Sequence, residues 1–305
     1  MSGSSEMRSL VSALRSVAIE VADVAAMEKF FVEAWHLPVA ARVGSSVYLR
    51  ASGAAHHVIA LHPARNDHTV LRELTLRVRS QDDLASIAVR APSAGGRLVQ
   101  RVAPVTEPGG GMSIVISDPQ GRLIRLVADD TMHVDGAERA DEPSRLAHVV
   151  FNSADVAQAQ AFYERVLGLR LIDRTKIMAF MNATADHHSI AFADSTENSL
   201  NHVAFVMPNI ESMMRGAGRV RDAGYPIEWG VGRHGPGNNA FAYFIGPTDL
   251  VVEYTAEVEQ VDESYLMHGP DYWKWPPGRV DHWGISPPPS ARLKEAQKRI
   301  TFVAA

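Results

Sequence analysis

The chain has no cysteine among its 305 residues, which excludes both a disulfide framework and any metal site built on thiolates. This absence suits a reducing cytoplasm, where we expect the protein to be located. No apolar run approaches the ~18–20 residues that span a bilayer, and residues 1–6 lack the basic and apolar regions of a signal peptide. A formal net charge of −5 gives no reason to expect nucleic acid or a membrane as a partner.

The bulk composition is that of a globular protein with two domains. Hydrophobic residues make up 46% of the chain and charged residues 21%, which is typical of the soluble globular class. A length of 305 residues suggests two domains, because one domain usually holds roughly 100–200 residues. The 13 histidines are many for this length, and their positions become informative below.

Two long segments of the sequence resemble each other. One, LRSVAIEVADVAAMEKFFVEAWHLPV, starts at Leu14, and the other, LAHVVFNSADVAQAQAFYERVLGLRL, starts at Leu146. Each predicts a strand followed by an amphipathic helix. Asp23 and Asp155 stand where the side chain can cap the first turn of that helix. An offset of 132 residues between the two starts indicates a duplicated domain, since it is too long for a solenoid repeat.

The likeness continues through both halves, and each half divides again into two similar modules. HHVIAL at His56 matches HHSIAF at His187, and a second strand and helix follow in each copy. We therefore expect an α+β chain of two homologous domains, each built from paired βαβββ modules. The predicted ranges are 1–130 for the first domain, 131–144 for a linker, 145–260 for the second domain and 261–305 for a tail rich in aromatic residues and proline.

Three differences between the copies point to chemistry in the second half. Two histidines and a glutamate replace a serine, a glutamate and an arginine within predicted strands: His148 for Ser16, His202 for Glu73 and Glu253 for Arg125. A buried carboxylate costs several kcal/mol unless it is paired or bound to a metal. Two histidines and one carboxylate form the facial triad that suits non-haem Fe(II) or Mn(II). The alternative is that Glu253 pairs with a buried cation and that both histidines are ordinary core residues.

The segment GRHGPGNNAFAYFIGPTDLVVEY holds His234, Tyr243 and Glu253 in order. With these residues, about 10–260 of the chain resembles the vicinal oxygen chelate superfamily, and within it the type I extradiol (catechol meta-cleavage) dioxygenases. The resemblance implies domains that each form an open, barrel-like mixed sheet. It also implies that the metal ligands are His148, His202 and Glu253, that the metal is Fe(II) or else Mn(II), and that O₂ is a co-substrate.

The same resemblance implies roles for three further residues. His188 corresponds to the acid–base histidine, while His234 and Tyr243 would hydrogen-bond the diol substrate. Neighbouring strand residues face opposite sides, so only one histidine of the pair at 187 and 188 can face the metal. The family pattern favours His188, and His187 is then expected to have a structural role. The product would be a ring-opened compound, cleaved beside the diol and not between its hydroxyls.

The substrate is less well defined by the sequence. Residues 265–284 contain three of the five tryptophans, with proline and glycine breaks that disfavour a helix, and they could either shape an aromatic pocket or dock elsewhere on the surface. Residues 286–305 contain PSARLKEAQKRI, which predicts a short exposed helix. Arg233 is the one nearby candidate for binding a substrate carboxylate, and nothing selects it. We expect a neutral, alkyl- or aryl-substituted catechol from aromatic catabolism, and a homo-oligomer.

Two other classes of function fit parts of the pattern. A glyoxalase, isomerase or transferase of the same superfamily uses paired modules and a metal, but does not require His188, His234 and Tyr243 together. A small-molecule-binding relative without catalysis would not need the complete set of ligands. The motif GVGRHG at 230–235 satisfies the glycine spacing of a dinucleotide site, but a turn and a strand follow it where such a site requires a helix.

Overall fold

The computed structural model of the protein describes residues 9–134 and 139–303. The N-terminal stretch on which we based the absence of a signal peptide lies outside the described residues. The same is true of residues 135–138 of the predicted linker and of 304–305 of the predicted tail.

Two mixed β-sheets with the same strand order form the framework. In the first, the order is β2-β3-β4-β1-β5-β8-β7-β6, and the strands are β1 Val11–Val21, β2 Val39–Val43, β3 Ser46–Leu49, β4 Ile59–Pro63, β5 Val70–Val78, β6 Arg97–Pro104, β7 Met112–Ser117 and β8 Leu123–Ala128. In the second, the order is β10-β11-β12-β9-β13-β16-β15-β14, and the strands are β9 Arg145–Ser153, β10 Arg170–Arg174, β11 Met178–Asn182, β12 Ile190–Asp194, β13 Ser199–Val206, β14 Trp229–Arg233, β15 Ala240–Ile245 and β16 Val251–Ala256.

Each sheet consists of two four-stranded modules joined in its middle. β1 pairs antiparallel with β5 at the junction of the first sheet, and β9 pairs antiparallel with β13 at the junction of the second. Within a module, the first and last strands pair in parallel, as β13 does with β16. The sheets stay open, since the edge strands of each do not pair with one another. The predicted α+β fold of two similar domains with paired βαβββ modules is confirmed.

The described residues form five α-helices beside the sheets: α1 Val24–Lys29, α2 Gln81–Ser93, α3 Val156–Phe162, α4 Ile210–Asp222 and α5 Ala291–Ala296. The predicted caps are present, because Asp23 accepts a hydrogen bond from the Ala26 N–H and Asp155 accepts one from the Gln158 N–H, each at 2.9 Å. These bonds satisfy donors that the first turn leaves unpaired. Helices α1 and α3 both continue into a π-helical turn, Phe30–Ala34 and Tyr163–Leu167.

The two halves share one hydrophobic core. Trp35, which follows the first helix, stacks on Tyr254 of β16 with ring centroids 3.7 Å apart. The Tyr254 hydroxyl donates to the Trp35 carbonyl at 2.7 Å, and Arg219 of α4 donates to the same hydroxyl. Since both rings are fully buried, the strand that carries Glu253 is anchored on its other face by the first half. The domain boundaries named above stay a prediction.

The tail returns across both sheets. Its strand β17, Thr301–Phe302, pairs in parallel with β5 of the first sheet. Helix α5 forms as predicted, but it is not wholly exposed, because Leu293 and Ala296 are buried where the helix meets the second sheet. Residues 265–284 contain no helix, as the prolines predict, and residues 229–233 form β14, which rules out a dinucleotide site there. No helix in the described parts of the chain is long and apolar enough to cross a membrane.

Candidate metal centre

Three neighbouring strands in the middle of the second sheet carry the candidate ligands. His148 lies on β9, His202 on β13 and Glu253 on β16. The β13 residue Ala204 stands opposite both His148 and Glu253. Directly opposed residues share a face of the sheet, as do residues two apart on one strand, so all three side chains project from the same face. The three were expected together from the sequence, and the structure brings them together.

The three ligand atoms form a nearly equilateral triangle. His148 Nε2 lies 3.1 Å from Glu253 Oε2, His202 Nε2 lies 3.2 Å from the same oxygen, and the two nitrogens are 3.3 Å apart. Bonds of about 2.0–2.2 Å to a shared ion separate the ligand atoms by about 2.8–3.6 Å, over the range from octahedral to tetrahedral geometry. The three separations fall within this range, so the residues fit one divalent cation, and a set of two histidines and one carboxylate would leave positions free for other ligands.

The hydrogen bonds around the triangle favour the same conclusion. His202 Nδ1 lies 2.8 Å from the side-chain oxygen of Asn201. Because that oxygen only accepts, His202 donates from Nδ1 and keeps a lone pair on Nε2 for a metal. Glu253 is fully buried and has no arginine or lysine partner among the described residues. The alternative in which Glu253 pairs with such a cation is thus wrong for the part of the chain that the structure describes.

The matching place in the first sheet holds an ion pair. Arg125 on β8 makes two hydrogen bonds to Glu73 on β5, at 2.6 and 3.1 Å. Arg125 stands opposite Thr75 as Glu253 stands opposite Ala204, and its positive charge would repel a divalent cation. Among the described residues, His148, His202 and Glu253 are the one group of metal-ligating side chains close enough to hold an ion.

Two further histidines and a tyrosine surround the triangle. Tyr243 stands opposite Glu253 in the β15–β16 ladder. The Tyr243 hydroxyl lies 3.1 Å from His234 Nε2, which is itself 3.8 Å from Glu253 Oε1. The His188 ring packs against the His148 ring with centroids 4.3 Å apart. The structure therefore places His188, His234 and Tyr243 next to the candidate ligands, as the sequence predicts.

Burial and neighbouring charges set the protonation of the site. Burial raises the pKa of Glu253, but the adjacent His148 and His202 together lower it by more, so that the net pKa lies below its ordinary value. Burial lowers the pKa of His188 well below its ordinary value and that of His234 to about 4, although Glu253 opposes the latter shift. Burial, assisted by Glu253, raises the pKa of Tyr243. Near neutral pH the two histidines and the tyrosine are uncharged.

Asn239 was not identified from the sequence. Its amide nitrogen donates to Thr255 Oγ1 at 2.6 Å and approaches Glu253 Oε1 at 3.4 Å, so it contacts the carboxylate oxygen that the two candidate ligand histidines do not. The asparagine lies within the GRHGPGNNAFAYF segment that carries the family pattern. An asparagine in such a segment has no titratable group that would distinguish it in the sequence.

Other sequence-level candidates lie apart from the triangle. The Arg233 side chain is engaged with Glu257 and with the carbonyl of Asn238, which argues against its binding a substrate carboxylate. The tail lies beside the loop of His234, where a side chain added at Gly235 would meet Trp273 and Trp275. A cavity of about 400 Å³ opens there between loop and tail. His187 points away from the triangle and is considered below.

Several known proteins resemble this chain in sequence. The model of the Glyoxalase/Bleomycin resistance protein/Dioxygenase superfamily matches residues 145–254. Metapyrocatechase 2 of Cupriavidus necator is 27% identical over 215 residues, which span 63% of this chain and 66% of that relative. The manganese-dependent 2,3-dihydroxybiphenyl 1,2-dioxygenase of Geobacillus genomosp. 3 is 24% identical over 270 residues, which span 80% and 82% of the two chains.

Among solved structures, the chain is similar to a Mn(II)-bound glyoxalase from Novosphingobium aromaticivorans. The two are 31% identical, with a TM-score of 0.85, and the match covers 93% of this chain and 94% of that one. The family model falls on the half that contains the candidate ligands, while this structural match extends over both halves. The chain therefore belongs to the glyoxalase/bleomycin resistance protein/dioxygenase superfamily.

Proposed function

We propose that the protein is an extradiol ring-cleaving dioxygenase, which inserts both atoms of O₂ into a catechol-type diol beside its two hydroxyls. The observation that carries this proposal is the presence of His188, His234 and Tyr243 around the metal triangle. Ring cleavage requires proton transfers at the diol and at oxygen, in addition to a metal. Two relatives, one named a metapyrocatechase and the other a 2,3-dihydroxybiphenyl 1,2-dioxygenase, support the same reaction class.

In this proposal His148, His202 and Glu253 hold Fe(II), with Mn(II) as the alternative. The metal, when bound, supplies a Lewis acid that lowers the pKa of the diol and open positions for substrate and O₂. Mn(II) stays open because one relative is named as manganese-dependent and another is described as Mn(II)-bound. A ligand set of two histidines and one carboxylate suits either ion.

The other side chains bind the diol and move its protons. Tyr243 and His234, hydrogen-bonded to each other at 3.1 Å, would bind one diol oxygen between them. His188 is uncharged near neutral pH, so it can accept a proton from the diol and later return it to an oxygen of the product. With Arg233 engaged elsewhere, we propose a neutral, alkyl- or aryl-substituted catechol as substrate.

A second candidate is a metal-dependent glyoxalase, which one observation favours. The structure that is 31% identical over nearly the whole chain is described as a glyoxalase. Such a reaction moves a proton between carbons and consumes no O₂. Oxygen consumption on addition of a catechol therefore separates the two candidates.

The deciding experiment is to purify the protein anaerobically, quantify its metal, and add a panel of catechols while recording O₂. Iron or manganese near one per chain, O₂ uptake and a coloured ring-fission product are the expected results. Metal without O₂ uptake on any catechol, combined with turnover of methylglyoxal and glutathione, would favour the glyoxalase.

Variants at matched positions of the two halves test which half carries the metal. His148→Ala should lose both metal and activity. Ser16→Ala, at the equivalent position of the first sheet, should retain both. Full metal content and activity in His148→Ala would contradict the proposal. The homo-oligomeric state and the cytoplasmic location stay predictions, which a sedimentation experiment and cell fractionation would test.

A further inference from the structure

The side chain of Asp173 is fully buried, yet it lies outside the metal triangle. Asp173 is on β10, at the edge of the second sheet. Its carboxylate receives three hydrogen bonds: from His187 Nε2 at 2.8 Å, from the Tyr265 hydroxyl at 3.1 Å and from the backbone N–H of His268 at 2.8 Å. Three donors to one carboxylate offset the loss of water around a buried charge.

His187 connects this carboxylate to the active site. It is completely buried, and its Nδ1 lies 3.1 Å from Nδ1 of His188. The three side chains form a continuous chain of hydrogen bonds from Asp173, through His187, to the ring that packs on the candidate ligand His148.

The direction of these hydrogen bonds follows from the carboxylate. An ionised carboxylate only accepts, so His187 must donate from Nε2. A neutral His187 then has its lone pair on Nδ1, which can only accept. With His187 neutral, the hydrogen between the two rings is therefore on Nδ1 of His188, and the lone pair of His188 is left on Nε2.

We propose that Asp173 and His187 are positioning residues that fix the tautomer of His188, with the lone pair of its Nε2 directed to the substrate. The proposal deepens the proposed function, on which its catalytic consequence rests. The tautomer itself is a property of the protein and does not depend on that function. Second-layer partners of this kind commonly change activity about 10–100-fold when removed.

The first half provides an internal comparison. His56 and His57 repeat the ring pair, with their Nδ1 atoms 3.2 Å apart. The irregularity that separates Leu171 from Asp173 in the β10–β11 ladder recurs between Val39 and Ala41 in the β2–β3 ladder. Ala41 therefore stands where the second half has Asp173, so the carboxylate accompanies the histidine pair only in the half with the candidate ligands.

In the first-half pair, the direction of the hydrogen bond between the rings is set by the partner of His57, the second histidine. Arg15 lies 2.8 Å from His57 Nε2, and a guanidinium only donates. His57 must then donate from Nδ1 to His56. The Nε2 lone pair of His57 is thus used by an arginine, whereas that of His188 is left for a ligand.

The C-terminal tail is part of the proposed arrangement. Tyr265 and His268 belong to the aromatic tail, and the Arg174 N–H donates to the His268 carbonyl at 2.9 Å. The tail thus adds a short parallel bridge at Asp173 and supplies two of its three donors. Docking of the tail would in this way help to orient His188, in addition to any contact with substrate.

The test is to observe the tautomers directly. Protein labelled with ¹⁵N-histidine is examined by long-range ¹H–¹⁵N NMR, both free of metal and loaded with diamagnetic Zn(II), and signals are assigned through His187→Asn and His188→Asn. We expect the hydrogen of His188 on Nδ1 and that of His187 on Nε2. In Asp173→Leu the constraint is lost, and the His188 hydrogen should move partly or wholly to Nε2.

Kinetics on the same proteins provide a second readout. Asp173→Leu should lower kcat about 10–100-fold with little change in KM, because the substrate contacts remain. His56→Phe, in the first-half pair, should change neither the His188 tautomer nor kcat.

Two results would overturn the proposal. One is a neutral wild-type His188 with its hydrogen on Nε2, which needs no variant to be observed. The other is a folded Asp173→Leu whose two tautomers match those of the wild type. If the tautomers are as expected but the wild type consumes no O₂ with any catechol, the dioxygenase proposal fails and the positioning role stands.

Discussion

Replacing Glu253 by glutamine tests why a carboxylate is buried in the middle of a strand. The side chain is fully buried and touches two histidine nitrogens at 3.1 and 3.2 Å. If a metal is its intended partner, Glu253→Gln should differ strongly from the wild type only when metal is present. Without metal, the variant keeps the shape of the side chain and loses only the attraction between the carboxylate and the two histidines, so its stability should change less than it does with metal.

The expected effect of metal can be estimated from binding linkage. At a free metal concentration 100 times Kd, the wild type gains about 2.7 kcal/mol of unfolding free energy. Loss of the only charged ligand should weaken binding at least about 100-fold, which exceeds the usual effect of residues behind the ligands. The variant then gains about 0.4 kcal/mol at the same concentration.

These free energies convert to measurable melting temperatures. An unfolding entropy of about 2.1 cal/mol/K per residue gives about 0.64 kcal/mol/K for 305 residues. The wild type should therefore gain about 4 °C with metal, and Glu253→Gln less than about 1 °C. Differential scanning calorimetry under anaerobic conditions, with Mn(II) or with a chelator, measures both.

One pattern of results would refute this reasoning. If Glu253→Gln loses several kcal/mol in the presence of chelator, and the wild type gains nothing from any divalent metal, the glutamate belongs to a structural ion pair. The histidines would then be core residues, as in the alternative weighed from the sequence.

Three further predictions concern other parts of the molecule. Burial lowers the pKa of His57 to about 2, so as the pH falls below 6.5 the unfolded chain takes up a proton on this histidine, the folded protein does not, and stability falls. Urea denaturation should therefore show that His57→Gln loses about 2 kcal/mol less stability than the wild type between pH 6.5 and 5. Equal losses would contradict this prediction. Gly237 has φ +80°, and a Cβ there would lie 3.1 Å from the His188 ring, so Gly237→Ala should reduce kcat of catechol cleavage. Gly224 has φ +94° but open space around it, so Gly224→Ala should be destabilised by about 1–2 kcal/mol and remain fully active. Tyr254→Phe leaves a buried carbonyl of the first half unpaired and should cost about 1–3 kcal/mol in chemical denaturation; an unchanged midpoint would show that water satisfies the carbonyl.

Much of the fold was predictable because the duplication repeats the same strand and helix patterns in both halves of the sequence. Asp23 and Asp155 could be assigned as helix caps because each preceded the same amphipathic pattern, and both caps are present. Comparison of the copies also identified His148 as a candidate functional residue, because the equivalent strand position of the first half holds a serine and the shared fold does not require a histidine there. Strand pairing then brought it within 3.3 Å of His202, although the two are far apart in sequence.

The role of Asp173 was not predicted from the sequence. At the same offset of 132 residues its counterpart is Ala41, so a complete comparison of the copies would have noticed the new carboxylate. Its function could not be read from that comparison, because its partners Tyr265 and His268 come from a tail that has no counterpart in the first half. The exposed helix predicted near the C-terminus was wrong in part for a similar reason, since Leu293 is buried by a sheet that only the tertiary structure supplies.

The sequence by itself determined the two-domain α+β fold, the modules and the group of candidate residues, because alternation, caps and repeats are local properties of the chain. Only the tertiary structure decided the 3.1–3.3 Å triangle of ligand atoms and the direction of the hydrogen bonds behind His188. Distances between strands depend on sheet register, and the tautomer of a buried imidazole depends on which donors and acceptors surround it. Both are set by residues that are remote in sequence and become neighbours only when the chain is folded.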